Sequence, residues 1–224
     1  MHDNLPALLK SLLLSQPEVI RLSALRRSTC LFAQGGRADA LYLIEEGLIK
    51  LTRTRVQAGR LILSVYGRDE VVGEECLFCG APRYHAEASV MTPATVHRIP
   101  LESMQRVGAE HPELAIAVVQ YLLGTKLKFA HKVELLCLHD VETRILHHLD
   151  ELAHLVKPNV ADASYALPIT QLELADLVGA TRETTSTTLN HLQSRGLVKL
   201  SRRLLTVFPQ HARAASAGQS DSDV

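Results

Sequence analysis

The sequence has no tryptophan, only 4% aromatic residues, and no excess charge of either sign, with 24 basic and 24 acidic side chains. Zero formal charge excludes a molecule coated for nucleic acid over its whole surface, so any phosphate-binding face must be local. No apolar run approaches the roughly 18 residues that a membrane span needs. The apolar N-terminus MHDNLPALLKSLLLSQPEVI is broken by Lys10, Ser11, Ser15 and Gln16, and no small-residue cleavage site follows it. It reads as a short amphipathic helix and not a signal peptide, so a cytoplasmic protein without a membrane partner is expected. A glycine-rich phosphate loop and a G-x-S-x-G elbow are also missing. His147, His148 and His154 fall on one ordinary helix without ligand spacing, and no enzyme is expected.

Cysteine is scarce, at four residues. Cys76 and Cys79 have the two-residue spacing of a metal or redox pair, but zinc and iron–sulfur sites ordinarily take four ligands. Cys76 and Cys137 are expected to fill cores as small hydrophobes, so no metal is expected. Metal or redox sensing through Cys76 and Cys79 is the alternative.

What is present is a chain with 46% hydrophobic and 21% charged residues, the balance of a packed globular protein. From about Cys30 to Pro100, short apolar runs are punctuated by glycine: CLFAQGG, ALYLIEEG, LIKLTRT, RLILSVYG, DEVVGE, AEASVMTP, ATVHRIP. That spacing predicts a compact antiparallel β-roll or sandwich. After Pro100 the period becomes helical, with a short helix ending near Gly108 and a long one opened by Pro112. On the long helix Leu114, Ala117, Tyr121, Gly124, Lys128, His131 and Leu135 recur at alternating spacings of three and four, the pattern of a coiled-coil seam between two copies. The same stripe could instead pack on the chain's own barrel. A further helix spans Asp140 to Val156, and Lys157 to Pro168 reads as a hairpin or loop. Beyond Pro209 the tail has little to bury and is expected to be disordered.

The stretch PITQLELADLVGATRETTSTTLNHLQSRGLVKLSRRLLTVFP carries the most specific signal. Thr170 followed by Glu173 matches a capping box, and Gly179 can adopt the left-handed conformation that stops a helix. Thr181 can cap a second helix with Glu183 in its first turn. Helix, glycine turn, helix is helix-turn-helix spacing, in which the second helix enters the DNA major groove. Arg182 and Glu183 then sit where side chains meet base edges: arginine can pair with guanine and glutamate can accept from cytosine, each worth about 1–3 kcal/mol of discrimination. Ser186 and Thr187 follow one turn on, and Leu189 and Leu192 are expected in the core. Thr185 and Thr188 are expected to face inward, bonding back to the helix. Thr170, Gln171, Thr181 and Thr184 are candidates for phosphate contacts. LVKLSRRLLTV reads as a two-stranded wing whose Arg202 and Arg203 suit phosphates, or are simply solvated turn charges.

Together the strands, long helix and winged helix-turn-helix resemble the CRP/FNR family of bacterial transcription regulators. The resemblance spans roughly residues 18–208 and is strongest in residues 169–198, in LHDVETRIL (residues 138–146) and in GEECLF (residues 73–78). It implies an α+β chain with a cyclic-nucleotide-binding-like jelly roll in residues 1–110 and a dimerisation helix in residues 111–139. A winged helix-turn-helix would follow in residues 140–208, and a tail in residues 209–224. It also implies a homodimer reading a two-fold symmetric site in double-stranded DNA, with RNA polymerase as a further partner. Relatives often carry a second base-reading arginine where this chain has Thr187, which points to a shifted or looser half-site. A ligand- or redox-sensing module whose helix-turn-helix does not touch DNA is the alternative.

In cyclic-AMP-binding relatives a Gly-Glu pair contacts the ribose, and Gly73 and Glu74 match it. The relatives' phosphate-binding Arg-Ser pair falls on Tyr84 and His85, and their adenine-reading pair on Phe129 and Ala130, with Arg83 one place early. A buried phosphate would be left poorly satisfied, so cyclic AMP is not expected. RYHAEASVMTP (residues 83–93) is similar to nitrogen-control regulators that bind 2-oxoglutarate, whose long-helix arginine falls on Thr125, where Lys126 or Lys128 could substitute, so a small anionic metabolite is an open alternative. TTSTTLN resembles the haem-containing gas sensors, but Glu75 stands where they carry the haem-binding histidine. The cysteine cluster that holds an iron–sulfur cluster in the oxygen sensors is absent too. The leading expectation is a pocket filled by the chain's own side chains and needing no effector.

Overall fold

The computed structural model of the 224-residue chain describes residues 4–55, 59–77, 82–156, 164–201 and 204–208. The chain divides into two compact units, Met1–Glu134 and Leu135–Val224.

The first unit opens with α1 (Asn4–Leu13), where Leu5, Leu9 and Leu13 repeat every four residues and are buried. This stripe fixes the helix to the same apolar cluster as Leu41, Leu43 and Ile44. The strands are β1 (Ile20–Leu25), β2 (Cys30–Phe32), β3 (Ala40–Glu46), β4 (Ile49–Arg55), β5 (Gly59–Tyr66), β6 (Val71–Val72), β7 (Glu87–Val90) and β8 (Ala94–Pro100). They form two antiparallel four-stranded sheets, in the orders β1-β8-β3-β6 and β2-β7-β4-β5. This is the β-roll expected from the glycine-punctuated runs. A 3₁₀ turn (Glu74–Leu77) follows β6, and α2 (Leu101–Glu110) and α3 (Pro112–Leu138) follow β8.

The face that α3 presents to the roll corrects the expected seam. Leu114 and Ala117 are buried in the roll's apolar cluster, and Tyr121 packs against it. The Tyr121 hydroxyl donates to the Val71 carbonyl at 2.6 Å and accepts from the Val71 amide at 3.0 Å. Lys128 pairs with Glu70 at 2.6 Å, and the buried Lys132 donates to the Ile62 carbonyl at 2.7 Å. Leu135 is buried, Gly124 half-buried and His131 exposed. The large apolar residues that α3 leaves exposed are Ile116, Val119, Leu123, Leu127, Phe129, Val133 and Leu138. A three-and-four repeat marks a buried stripe without saying what buries it, and here the chain's own roll takes the stripe through Lys128. Cys137, expected in a core, is exposed.

The second unit contains α4 (Val141–Val156), β9 (Tyr165–Leu167), α5 (Gln171–Val178), α6 (Arg182–Ser194), β10 (Val198–Leu200) and β11 (Leu205–Val207). Asp140 caps α4 by accepting from the Thr143 amide at 2.8 Å. The wing is larger than expected: β11 pairs with β10 on one side and with β9 on the other, giving three strands in place of two. The sequence YAL is too short to show a period, so only its pairing with β11 reveals β9. Arg202, Arg203, Cys79 and the tail from residue 209 lie outside the described residues.

Candidate functional site

The helix-turn-helix is built by local chemistry. Thr170 and Glu173 form a full capping box: the Thr170 hydroxyl accepts from the Glu173 amide at 3.2 Å, and the Glu173 carboxylate accepts from the Thr170 amide at 3.1 Å. Gly179 ends α5 at φ +65°, and Thr181 starts α6 by accepting from the Thr184 amide at 3.1 Å. The turn is therefore set by two threonine caps around one left-handed glycine.

Burial then splits α6 into two faces. Thr185, Leu189 and Leu192 are fully buried at spacings of four and three, while Arg182, Glu183, Thr184 and Thr187 are exposed and Ser186 is half-buried. Burying the leucines contributes about 2–3 kcal/mol each, which anchors the helix. The free side chains of Arg182 and Glu183 leave from the first turn, where the unpaired amides and helix dipole favour an anion. Thr188 bonds back to the Thr184 carbonyl at 2.9 Å as expected, but it is half-buried and not fully inward. Thr185 is inward without that bond, and its hydroxyl has no partner among the described residues. Of the candidate phosphate contacts, Thr184 and Thr181 are exposed with hydroxyls 3.0 Å apart, Gln171 is half-buried, and the Thr170 hydroxyl also donates to Glu173 at 2.9 Å.

A residue not anticipated from sequence, Glu142 on α4, holds the far end of α6. It accepts from Arg195 at 2.5 Å and lies 3.2 Å from the His191 imidazole. Its signal was the run LHDVETRIL, but no spacing rule links positions about fifty residues apart.

Of the candidate effector residues, Gly73, Glu74, Glu75, Tyr84 and His85 come together in the roll, while Arg83 and Lys128 are engaged elsewhere. Tyr84 is buried at 3% exposure and stacks on Phe32 with ring centroids 3.8 Å apart and planes 16° from parallel. Its hydroxyl donates to the Ala40 carbonyl at 2.6 Å and accepts from the Ala40 amide at 3.3 Å. Gly73, at φ +89°, lies directly under this ring: a Cβ there would come within 3.3 Å of Tyr84 and Phe32 and 3.1 Å of the Ala40 carbonyl. Tyr84 and Phe32 thus occupy the space over Gly73. Burial raises the Glu74 carboxyl to about 7, with the neighbouring Glu75 adding to the shift. Glu75 is half-buried, and its carboxylate accepts from the backbone amide of the exposed His85 at 3.4 Å. Arg83 turns outward, donating to the Gly35 carbonyl at 2.8 Å, and Lys128 is committed to Glu70. Cys76 is buried in the roll, as expected, and burial pushes its thiol up to about 12.

Comparison with known proteins gives this arrangement its context. The model of a cyclic nucleotide-binding domain matches residues 22–111, and that of a Crp-like helix-turn-helix domain matches residues 143–209. The chain belongs to the CRP/FNR family of transcription regulators. It is 26% identical over 193 residues to the global nitrogen regulator of Synechococcus elongatus, covering 84% of this chain and 86% of that protein. It is also 26% identical over 192 residues to the CRP-like cAMP-activated global transcriptional regulator of Mycobacterium tuberculosis, covering 85% of each. Among solved structures, the c-di-GMP responsive global regulator CLP of Xanthomonas campestris superposes with TM-score 0.72 at 24% identity, covering 85% of this chain and 93% of that one. FixK2 from Bradyrhizobium japonicum superposes with TM-score 0.73 at 18% identity, covering 88% and 96%. Identities this low extend the likeness to fold alone.

Within the CRP/FNR fold, then, this chain pairs an exposed first turn on α6 with a roll whose Gly-Glu turn is roofed by its own tyrosine. Among the described residues no helix is long and apolar enough to cross a membrane, and no group of three or more His, Cys, Asp or Glu is placed to hold a metal ion.

Proposed function

We propose that the protein is a sequence-specific, cytoplasmic DNA-binding regulator that acts as a homodimer on a two-fold symmetric promoter site. The observation that carries this reading is the division of α6: one face buries Thr185, Leu189 and Leu192, while Arg182 and Glu183 stand free at a capped N-terminus. A helix anchored on one side and presenting an arginine and a carboxylate at its first turn is suited to reading guanine and cytosine edges. Ser186 and Thr187 add hydroxyl and methyl contacts one turn deeper, and Thr170, Gln171, Thr181, Thr184, Arg202 and Arg203 supply backbone contacts that fix register.

The dimer forms along the free stripe of α3, Ile116, Val119, Leu123 and Leu127, since exposing several large apolar side chains on one helix face is costly unless a second helix covers them. Two α6 helices about 34 Å apart would then meet successive major grooves. RNA polymerase is the further partner that the family suggests. The roll needs no cyclic nucleotide, because Tyr84 already fills the space over Gly73.

Gel-shift competition with Arg182→Ala tests this reading. The variant should lose about ten- to hundred-fold in preference for its site over random DNA, matching about 1–3 kcal/mol for one bidentate contact, while remaining a dimer in sedimentation. Undiminished discrimination would refute the assignment of α6 as the reading helix.

A further inference from the structure

With Tyr84 closing the inner roll, three arginines of the first unit meet elsewhere. A cleft of about 770 Å³ opens at the outer edge of the roll, and Arg37, Arg83 and Arg98 line it together with Asp39 and Glu102. Each arginine comes from a different segment: the loop before β3, the loop before β7, and β8 itself. Neither Gly73 nor Glu74 lines this cleft.

The backbone forces two of these cations into apposition. Arg37 and Arg83 are partners in an isolated antiparallel bridge, so their side chains leave the same face with Cβ atoms about 4.5–5.5 Å apart. Like charges directly opposite one another are an unfavourable cross-strand pair. The two carboxylates in the cleft offset the three arginines only in part, leaving one positive charge in excess. Asp39 is engaged by Arg98 at 2.9 Å, and Glu102, in the first turn of α2, forms no ion pair among the described residues. Arg37 likewise has no ion-pair partner among them.

Two of the three donors are also held in place. One Arg83 nitrogen is tied to the Gly35 carbonyl at 2.8 Å and one Arg98 nitrogen to Asp39, which limits both guanidinium groups to a narrow range of orientations. The α2 helix begins at the cleft with Pro100 as its N-cap and no side-chain cap, so the positive end of its dipole adds to the same field. Guanidinium groups fixed by neighbours and facing one open space are suited to bidentate binding of planar or tetrahedral oxyanions.

We propose that this outer cleft binds a small multivalent oxyanion, a phosphate- or carboxylate-bearing metabolite, bridged between Arg37 and Arg83 with Arg98 as the third cation. The site lies apart from the Gly73 turn and does not depend on the DNA-binding reading.

Isothermal titration of the full-length protein without DNA tests it, using sodium pyrophosphate in one arm and sodium citrate in the other, each against sodium chloride at matched ionic strength. One saturable event per chain is expected with at least one of the probes, and the arm that binds tells phosphate from carboxylate. Arg37→Ala should weaken it at least ten-fold; because Arg37 forms no ion pair among the described residues, this variant removes none from the fold. Arg83→Ala should do the same, and Arg182→Ala should bind like the unaltered protein. Absence of saturable binding in both arms would overturn the proposal. So would undiminished binding by Arg37→Ala, or loss confined to Arg182→Ala, which would put the anion on the recognition helix. Loss of DNA discrimination in Arg182→Ala with the titration unchanged separates this site from the regulator reading.

Discussion

The two units use glycine and hydroxyl-bearing residues for opposite ends. In the helix-turn-helix, Gly179 and the caps at Thr170 and Thr181 shape a turn that leaves Arg182 and Glu183 free. In the roll, Gly73 makes room and the hydroxyl-bearing Tyr84 takes it, stacked on Phe32 and bonded at both Ala40 backbone groups. The same family fold is therefore open where it would meet DNA and closed where relatives would be expected to take a ligand. A turn set by caps depends on residues at most four apart, whereas the closed pocket depends on residues from β2, β3, the bend after β6 and the loop before β7 arriving together.

The largest test of this contrast is Tyr84→Ala. Removing a fully packed aromatic side chain should cost the first unit about 3–5 kcal/mol in urea denaturation. An unchanged midpoint would mean that the ring does not hold the roll closed, and the contrast between the units would fail. The specificity loss in Arg182→Ala comes next in size and should leave that midpoint in place.

Glu74 sharpens the contrast through pH. Its carboxyl is raised from 4.5 to about 7 by burial, so the folded state holds its proton where the unfolded chain releases it. The stability this gives is fully present below about pH 4.5 and is lost as pH rises through 7. Partial exposure of the residue limits the effect to about 1–3 kcal/mol. Glu74→Gln should therefore flatten the melting temperature between pH 5 and 8 and raise it at the alkaline end. A variant that kept the full slope would place its origin in another group.

Thr181→Ala removes the cap of α6 and should destabilise the second unit by about 1 kcal/mol, with a matching fall in DNA affinity and no change at the roll. The smallest expected effect is a gain. Thr185→Val replaces a buried, unpartnered hydroxyl with a methyl of nearly the same shape, and should stabilise the second unit by about 0.5–1 kcal/mol. Destabilisation instead would show that the hydroxyl has a partner in the folded protein.

The run of threonines in TRETTSTTLN illustrates how far sequence reasoning reaches. The cap at Thr181, the back-bond of Thr188 and the burial of Thr185 follow from position within a helix. That Thr185 keeps a hydroxyl without a partner does not, since it depends on what the neighbouring helices present. The α3 stripe shows the same limit: Leu114, Ala117 and Tyr121 have the spacing of a seam, yet their partner is the roll. The cleft lining is less legible still, since Arg37, Arg83 and Arg98 have no pattern in the sequence and meet only through the bridge at residues 37 and 83 and the sheet register around β8.

By itself the sequence determined the order of elements, the caps, the glycine stop and the exposed face of α6, because each rests on interactions within one or two helical turns. Tertiary structure alone decided that Tyr84 roofs Gly73, that Lys128 answers Glu70, that β9 completes the wing and that Glu142 clamps the end of α6. Those outcomes depend on residues tens of positions apart meeting at hydrogen-bond distance, and no local period or propensity records such a meeting.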